Sequence, residues 1–319
     1  MNVKNLYPMR LSALPMERLW GGDRLGKFYN KGCESGTGET WELSVRKKEK
    51  SVVSNGVLAG KTLCEIVDAD KSLVGERFAG GEFPLLIKFI DAADDLSVQV
   101  HPDDEYAAKV ENDVGKTEMW HIVEAEPGAK LVYGLADGVT VEDFARAVRE
   151  GKTQAALKYV EVHAGETYFI PAGLVHAIGG GILLAEVQQN CDLTYRVYDF
   201  DRLDKDGKPR ELHTEKSIEC VKCFTDAEID AVRYARGRGD AETLADCPYF
   251  KVSRLEVNGT RDVEATKESF VSLLCVNGRG KLIFDGAEYE ICRGDSYFLP
   301  AGLGISTLEG EMTVILSQI

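Results

Sequence analysis

GETYFIPAGLVHAIGGGILLAEV (Gly165–Val187) is the stretch on which the fold turns. Tyr168, Phe169 and Ile170 run into Pro171-Ala172-Gly173, where proline fixes one turn dihedral and glycine supplies the permissive one. Three glycines later an aliphatic run resumes at Ile182, so the stretch reads as strand, turn, strand, with His176 leaving the turn. The chain uses the pattern twice. Gly294-Asp295-Ser296-Tyr297-Phe298-Leu299-Pro300-Ala301-Gly302-Leu303 repeats Gly165 to Leu174 at an offset of 129 residues, and the position matching His176 is Ile305. Two related β units are expected, one keeping a histidine where the other has an aliphatic side chain.

Composition bounds what such a chain can do. With 319 residues, 44% of them hydrophobic, it can bury the cores of two units. The net charge of −15 argues against nucleic acid or an anionic membrane as partner, because phosphates need clustered Lys and Arg. No run approaches the about eighteen apolar residues of a bilayer span, and MNVKNLYPMRL lacks the apolar segment of a signal peptide. A soluble, cytoplasmic protein is the expectation. The eight cysteines are scattered, and the lone Cys220-Val221-Lys222-Cys223 reads as two ordinary thiols.

Working outward along the chain, Leu85 to Ile90 is a buried-strand run that contains Lys88. Leu96-Ser97-Val98-Gln99-Val100-His101 alternates, which puts Gln99 and His101 on one face. Pro102 ends that strand, and Asp103 to Val110 has the acidic start of a short helix. Lys116, Glu118 and Trp120 share a face of the next strand, as do Thr194, Arg196 and Tyr198 later on. Thr140 can cap a helix through Val141, Phe144, Ala145 and Val148. This helical insertion, near 135–158, accounts for 22 residues by which the first copy of the repeat exceeds the second between Lys130-Leu131-Val132-Tyr133 and its counterpart Lys281-Leu282-Ile283-Phe284. Asn258-Gly259, Asn277-Gly278 and Asp285-Gly286 are hairpin signals. The expected architecture is mainly β; the spacing from Gly165 through Pro171 and Gly173 to His176 resembles the second metal motif of the cupin barrels, which implies two cupin-like (jelly-roll) β-barrel units, residues 1–236 with the insertion and 248–319, joined by a linker at 237–247.

A barrel gathers residues from different strands, so the candidates beside His176 are Gln99, His101 and Glu118. Two imidazoles, a carboxylate and an amide oxygen suit a divalent first-row metal; zinc, manganese, iron and cobalt are not separable by donor type alone. Glu105 is a rival to Glu118 by its spacing from His101, but Pro102 and the helix after it should carry Glu105 off the barrel face.

Gln99-Val100-His101-Pro102, Lys116-Thr117-Glu118-Met119, Pro171 to Ala177 and Thr194-Tyr195-Arg196-Val197-Tyr198-Asp199 together resemble the type I mannose-6-phosphate isomerases of the cupin superfamily, in their short bacterial form. Trp20-Gly21-Gly22 and Glu39-Thr40-Trp41-Glu42 extend the likeness over nearly the whole chain. The resemblance implies an aldose–ketose isomerase of carbohydrate metabolism, with zinc on Gln99, His101, Glu118 and His176 and with Arg196 as the active-site arginine. Long-form members carry His-Lys-Pro-Glu where this chain has Gly115-Lys116-Thr117-Glu118, so the histidine of that segment has no counterpart here. On the implied reaction, Arg196 would stabilise an enediolate or bind phosphate, Lys116 would contact substrate or relay a proton, and Glu186 is a candidate base. Lys88, inside a buried run, is expected to meet substrate or a carboxylate, since an unpaired buried ammonium is costly. The expected partner is a small sugar phosphate. A metal-dependent cupin enzyme of another class, such as an iron oxygenase, and a non-catalytic sugar-phosphate binding protein are the alternatives.

Overall fold

The β-branched and aromatic runs assemble into three main antiparallel sheets in the computed structural model, which describes residues 6–33, 35–46, 48–78, 80–204, 206–230 and 241–319. A six-stranded sheet runs in the order Thr167–Ile170, Glu118–Ala125, Ile182–Gln189, Leu85–Ala92, Leu14–Gly22, Thr37–Leu43. A five-stranded sheet runs Leu157–Glu161, Lys130–Leu135, His176–Ile178, Val98–Val100, Tyr195–Tyr198. These two form the first cupin-like unit. Its central strands, Leu85–Ala92 and Ile182–Gln189, are buried along their whole length, which is why they read as continuous apolar runs without alternation.

The helical insertion is present as Val141–Arg149, opened by a capping box between Thr140 and Asp143. Its Phe144 packs with Val98, Val132, Tyr195 and Val197 on one face of the five-stranded sheet. Successive residues of a strand point to opposite faces, so the same packing turns Gln99 and Arg196 the other way, toward the six-stranded sheet.

The second unit is an eight-stranded sheet whose two long strands, Lys251–Ala265 and Gly304–Gln318, pair along their full lengths. Leu255, Val257, Leu273, Leu282, Leu308 and Val314 fill it with aliphatic side chains. Ile305 is 59% exposed, and the neighbouring Ser306 is the buried residue. Among the described residues no His, Cys, Asp or Glu cluster of this unit is arranged to hold a metal.

Two sequence expectations change here. Of the linker at 237–247, residues 237–240 lie outside the described residues, while Ala241–Asp246 forms the edge strand of the eight-stranded sheet. Charged residues suit such an edge, which is why this strand resembles a linker in sequence. Asn258-Gly259 and Asn277-Gly278 lie inside strands; only Asp285-Gly286 turns a hairpin, between Val271–Phe284 and Ala287–Cys292. Gly278 adopts φ 78°, and a Cβ there would sit 2.1 Å from the Glu311 carbonyl oxygen, so its glycine serves close backbone approach beside a bulge.

The two units also share strands. Met9–Ser12 and Val52–Val53, from the start of the chain, complete the eight-stranded sheet through Leu11↔Ser296 and Leu11↔Val53. Close by, the Lys31 ammonium donates to Glu42 at 2.6 Å and to the Gly294 carbonyl, and Glu42 is fully buried. Lys31→Met should lower the unfolding free energy by about 3–5 kcal/mol, because it leaves a buried carboxylate without its cation. Lys31→Met combined with Glu42→Gln should cost clearly less in denaturant titration; equal losses would show that the charge pairing is not what counts.

Candidate metal centre and cavity

Strand register places the functional side chains in two facing rows. In the six-stranded sheet, Trp120 lies opposite Glu186, Glu186 opposite Lys88, and Lys88 opposite Trp41, so four adjacent strands contribute one transverse row. In the five-stranded sheet, His176 lies opposite Gln99 and Gln99 opposite Arg196. Between the rows is a cavity of about 180 Å³ lined by residues of both sheets, among them Lys88, Glu186, Gln99, Lys116 and Arg196.

Behind Lys116 of this lining, His101, Glu118 and His176 come together, with one donor atom from each within 4.8 Å of the others, and all three are buried. His176 Nδ1 lies 2.8 Å from the Leu174 carbonyl oxygen. A carbonyl only accepts, so Nδ1 carries the proton and the Nε2 lone pair faces inward. That lone pair lies 3.2 Å from His101 Nε2 and 3.4 Å from Glu118 Oε1, and Oε1 receives no hydrogen bond. Burial, helped by Lys116, holds both imidazoles well below their ordinary range, His176 at about 3. Both are therefore neutral donors at physiological pH. Lys116 serves Glu118 Oε2 and lies at His101 Nε2, which leaves Glu118 Oε1 and the His176 Nε2 lone pair facing each other at 3.4 Å, and a cation between them removes that repulsion. The donor set fits a divalent first-row metal. Gln99, half-buried, is in register with His176 and lines the cavity.

Lys116 stands against this cluster. Its ammonium is 3.1 Å from His101 Nε2 and donates to Glu118 Oε2. Burial would lower Lys116, but the charges of Glu118 and Glu186 outweigh it and push it up. Glu118 is raised by burial, with Glu186 adding to it against Lys116. The loop that presents Lys116 is pinned by its neighbours: Gly115 N–H donates to Asp104 at 2.8 Å, and Thr117 N–H donates to Gln189 at 2.8 Å.

Glu186 is equally fixed. Trp120 Nε1–H donates to it at 2.9 Å and Lys88 pairs with it at 2.9 Å. Burial would raise its pKa, yet Lys88 and Lys116 together hold it below the carboxylate range. Lys88 thus meets a carboxylate, and it also lies 5.4 Å from the Trp41 ring. Arg196 lies farther out. Its Nη1–H donates to the Glu211 carbonyl at 2.8 Å, its Nε has no hydrogen-bond partner among the described residues, and burial and the adjacent Arg210 draw it below its usual value. Arg210, which the sequence did not single out, lines the same cavity while gripping Asp199. Its signal was hidden in a charged turn that reads as solvated. Glu105 lies on the exposed helix Asp104–Val110, away from the cluster.

Fold and site together define a two-unit cupin protein with a His–Glu–His centre in its first unit. Family models match at both ends: "Phosphomannose isomerase type I, catalytic domain" over residues 9–127, and "Mannose-6-phosphate isomerase, cupin domain" over 240–319. Mannose-6-phosphate isomerase ManA of Bacillus subtilis is 38% identical over 314 residues, covering 98% of this chain and 99% of that protein. The crystal structure of the mannose 6-phosphate isomerase from Bacillus subtilis superposes with a TM-score of 0.88 at 33% identity, over 98% of this chain and 99% of that one. A zinc-bound mannose 6-phosphate isomerase shares the fold at 17% identity, with a TM-score of 0.78 over 97% and 98% of the two chains. The chain belongs to the type I phosphomannose isomerase family of enzymes. Among the described residues no helix is long and apolar enough to cross a membrane.

Glu118→Gln and His176→Ala should each weaken divalent-metal binding by more than about tenfold, measured by metal analysis after dialysis. Cys220→Ser should leave metal content unchanged. Metal that follows Cys220 would place the centre elsewhere.

Proposed function

We propose that this enzyme interconverts mannose 6-phosphate and fructose 6-phosphate through an enediol, with zinc as its metal. The observation that carries the reading is the pair of facing rows, which sets a buried metal-type donor cluster, a fixed carboxylate and two guanidinium groups around one sugar-sized cavity. Gln99, His101, Glu118 and His176 would hold the metal, which when bound supplies Lewis-acid polarisation of the sugar oxygens.

The remaining steps belong to the chain's own side chains. The reaction takes one proton from C2 of the open aldose and returns it to C1, while a second passes from O2 to O1, so that the C1 carbonyl becomes a hydroxyl and the C2 hydroxyl a carbonyl. Glu186 is assigned the proton transfer: Lys88 and Lys116 keep it ionised and able to accept. Its low basicity limits the driving force, and the rigid hold by Trp120 and Lys88 compensates through orientation. Lys116, at the cluster and the cavity together, is placed to hydrogen-bond the oxygen on which negative charge develops. Arg196 and Arg210 at the outer wall are assigned the phosphate; a planar guanidinium suits two phosphate oxygens, and the unpartnered Nε of Arg196 is available to one.

The test is to mix purified protein with mannose 6-phosphate and assay fructose 6-phosphate, before chelation, after it, and after zinc is restored. Turnover that disappears with chelation and returns with zinc is expected. No turnover by zinc-loaded protein at substrate well above ~1 mM would reject the reading. Glu186→Gln should lower kcat by about 10²–10⁴-fold with KM little changed; an unaffected kcat would assign the base elsewhere.

A further inference from the structure

Arg46 lies outside the cavity and belongs to no motif singled out in the sequence, yet its side chain is only 2% exposed and it crosslinks three segments of the chain. One nitrogen, Nη1, donates to the Asn190 carbonyl at 2.8 Å. Nη2 donates to Asp113 at 3.0 Å and also to Asp192. Asp113 sits in the loop that leads to Lys116, and its Oδ1 accepts from Val114 N–H at 2.9 Å. Asn190 and Asp192 belong to the loop between the strand of Glu186 and the strand of Arg196, and Asp192 lines the cavity. One buried cation therefore ties together the loops that position Lys116, Glu186 and Arg196.

Electrostatics explains why a cation is needed there. Arg46 holds Asp113 across both terminal nitrogens, at 3.3 Å from Nη1 and 3.0 Å from Nη2, and Asp192 on Nη2, with the Glu82 carboxylate 3.9 Å from Nη1. Without it, two carboxylates are left to repel each other, and Asp192, whose side chain is already 46% exposed, is free to turn into solvent. A guanidinium serves both acids and a carbonyl at once from a planar fork, which an ammonium on a flexible stem does not reproduce.

We propose that Arg46 is a positioning residue that holds the Asp192 carboxylate at the cavity mouth, where it accepts a hydrogen bond from a hydroxyl of the bound sugar. This rests on the isomerase reading above. Arg46 touches no substrate itself; its effect on catalysis passes through Asp192.

The experiment compares Arg46→Met, Asp192→Asn, the double variant and Arg46→Lys in the mannose 6-phosphate assay, with inorganic phosphate as a competitive inhibitor in each. Arg46→Met should raise KM by about tenfold, as expected for loss of one hydrogen bond to a charged group, with kcat changed much less. On the Asp192→Asn background the same substitution should add less than about twofold, because the two act as a unit. Arg46→Lys should restore only part of the loss. The inhibition constant of phosphate should stay near the wild-type value in all four, since phosphate is assigned to Arg196 and Arg210; general loosening of the fold would weaken it in parallel. Full multiplication of the two single effects, a parallel loss of phosphate inhibition, or a wild-type KM in Arg46→Met would overturn the proposal. Absence of turnover by the wild-type enzyme in the same assay would remove the isomerase reading, and this inference with it.

Discussion

Two neutral imidazoles and a carboxylate point at one another across 3.2 to 3.7 Å in a space closed to water, and the rest of the first unit is arranged to keep them there. Such a cluster is unfavourable in isolation, because each group gave up hydration. The fold holds it by strand register and by hydrogen bonds such as His176 to the Leu174 carbonyl, leaving the His176 Nε2 lone pair and Glu118 Oε1 turned toward one another, where a cation would satisfy them. Lys116 occupies part of that role and is at the same time the cluster's link to the cavity.

The two units divide the work along the same physical line. The first spends its interior on buried charge, each member of which is paired: Lys88 with Glu186, Lys116 with Glu118. Paired buried charges are poor sources of stability compared with apolar packing. The second unit is packed with aliphatic side chains and is knitted to the first by Met9–Ser12 and by the hydrogen bond from Lys31 to the Gly294 carbonyl. An apolar unit attached to a polar one offsets the stability that the polar interior forgoes.

Much of the site was legible in the sequence because strand parity is local. Alternation around Gln99 and His101, around Lys116, Glu118 and Trp120, and around Arg196 identified which side chains share a face, and the internal repeat separated the unit that keeps a histidine from the one that does not. Pairing between strands is not local, and there the reading stopped. That Trp120, Glu186, Lys88 and Trp41 form one row follows from register between segments far apart in the chain. Arg46 and Asp192, 146 residues apart, carry no shared pattern that would announce their contact. Edge strands were hard for a related reason: Ala241–Asp246 carries exposed charges at Glu242 and Asp246 and so resembles a linker, and Met9–Ser12 is a strand only because a sheet 285 residues later accepts it.

The most direct measurement of the central claim is X-ray absorption at the zinc edge of the zinc-loaded enzyme. A shell of nitrogen and oxygen only, with the outer scattering of two imidazole rings, is the expected result for His101, His176, Glu118 and Gln99 acting together. Sulfur in the first shell, at the ~2.3 Å typical of zinc–thiolate bonds, or a shell without imidazole, would contradict it.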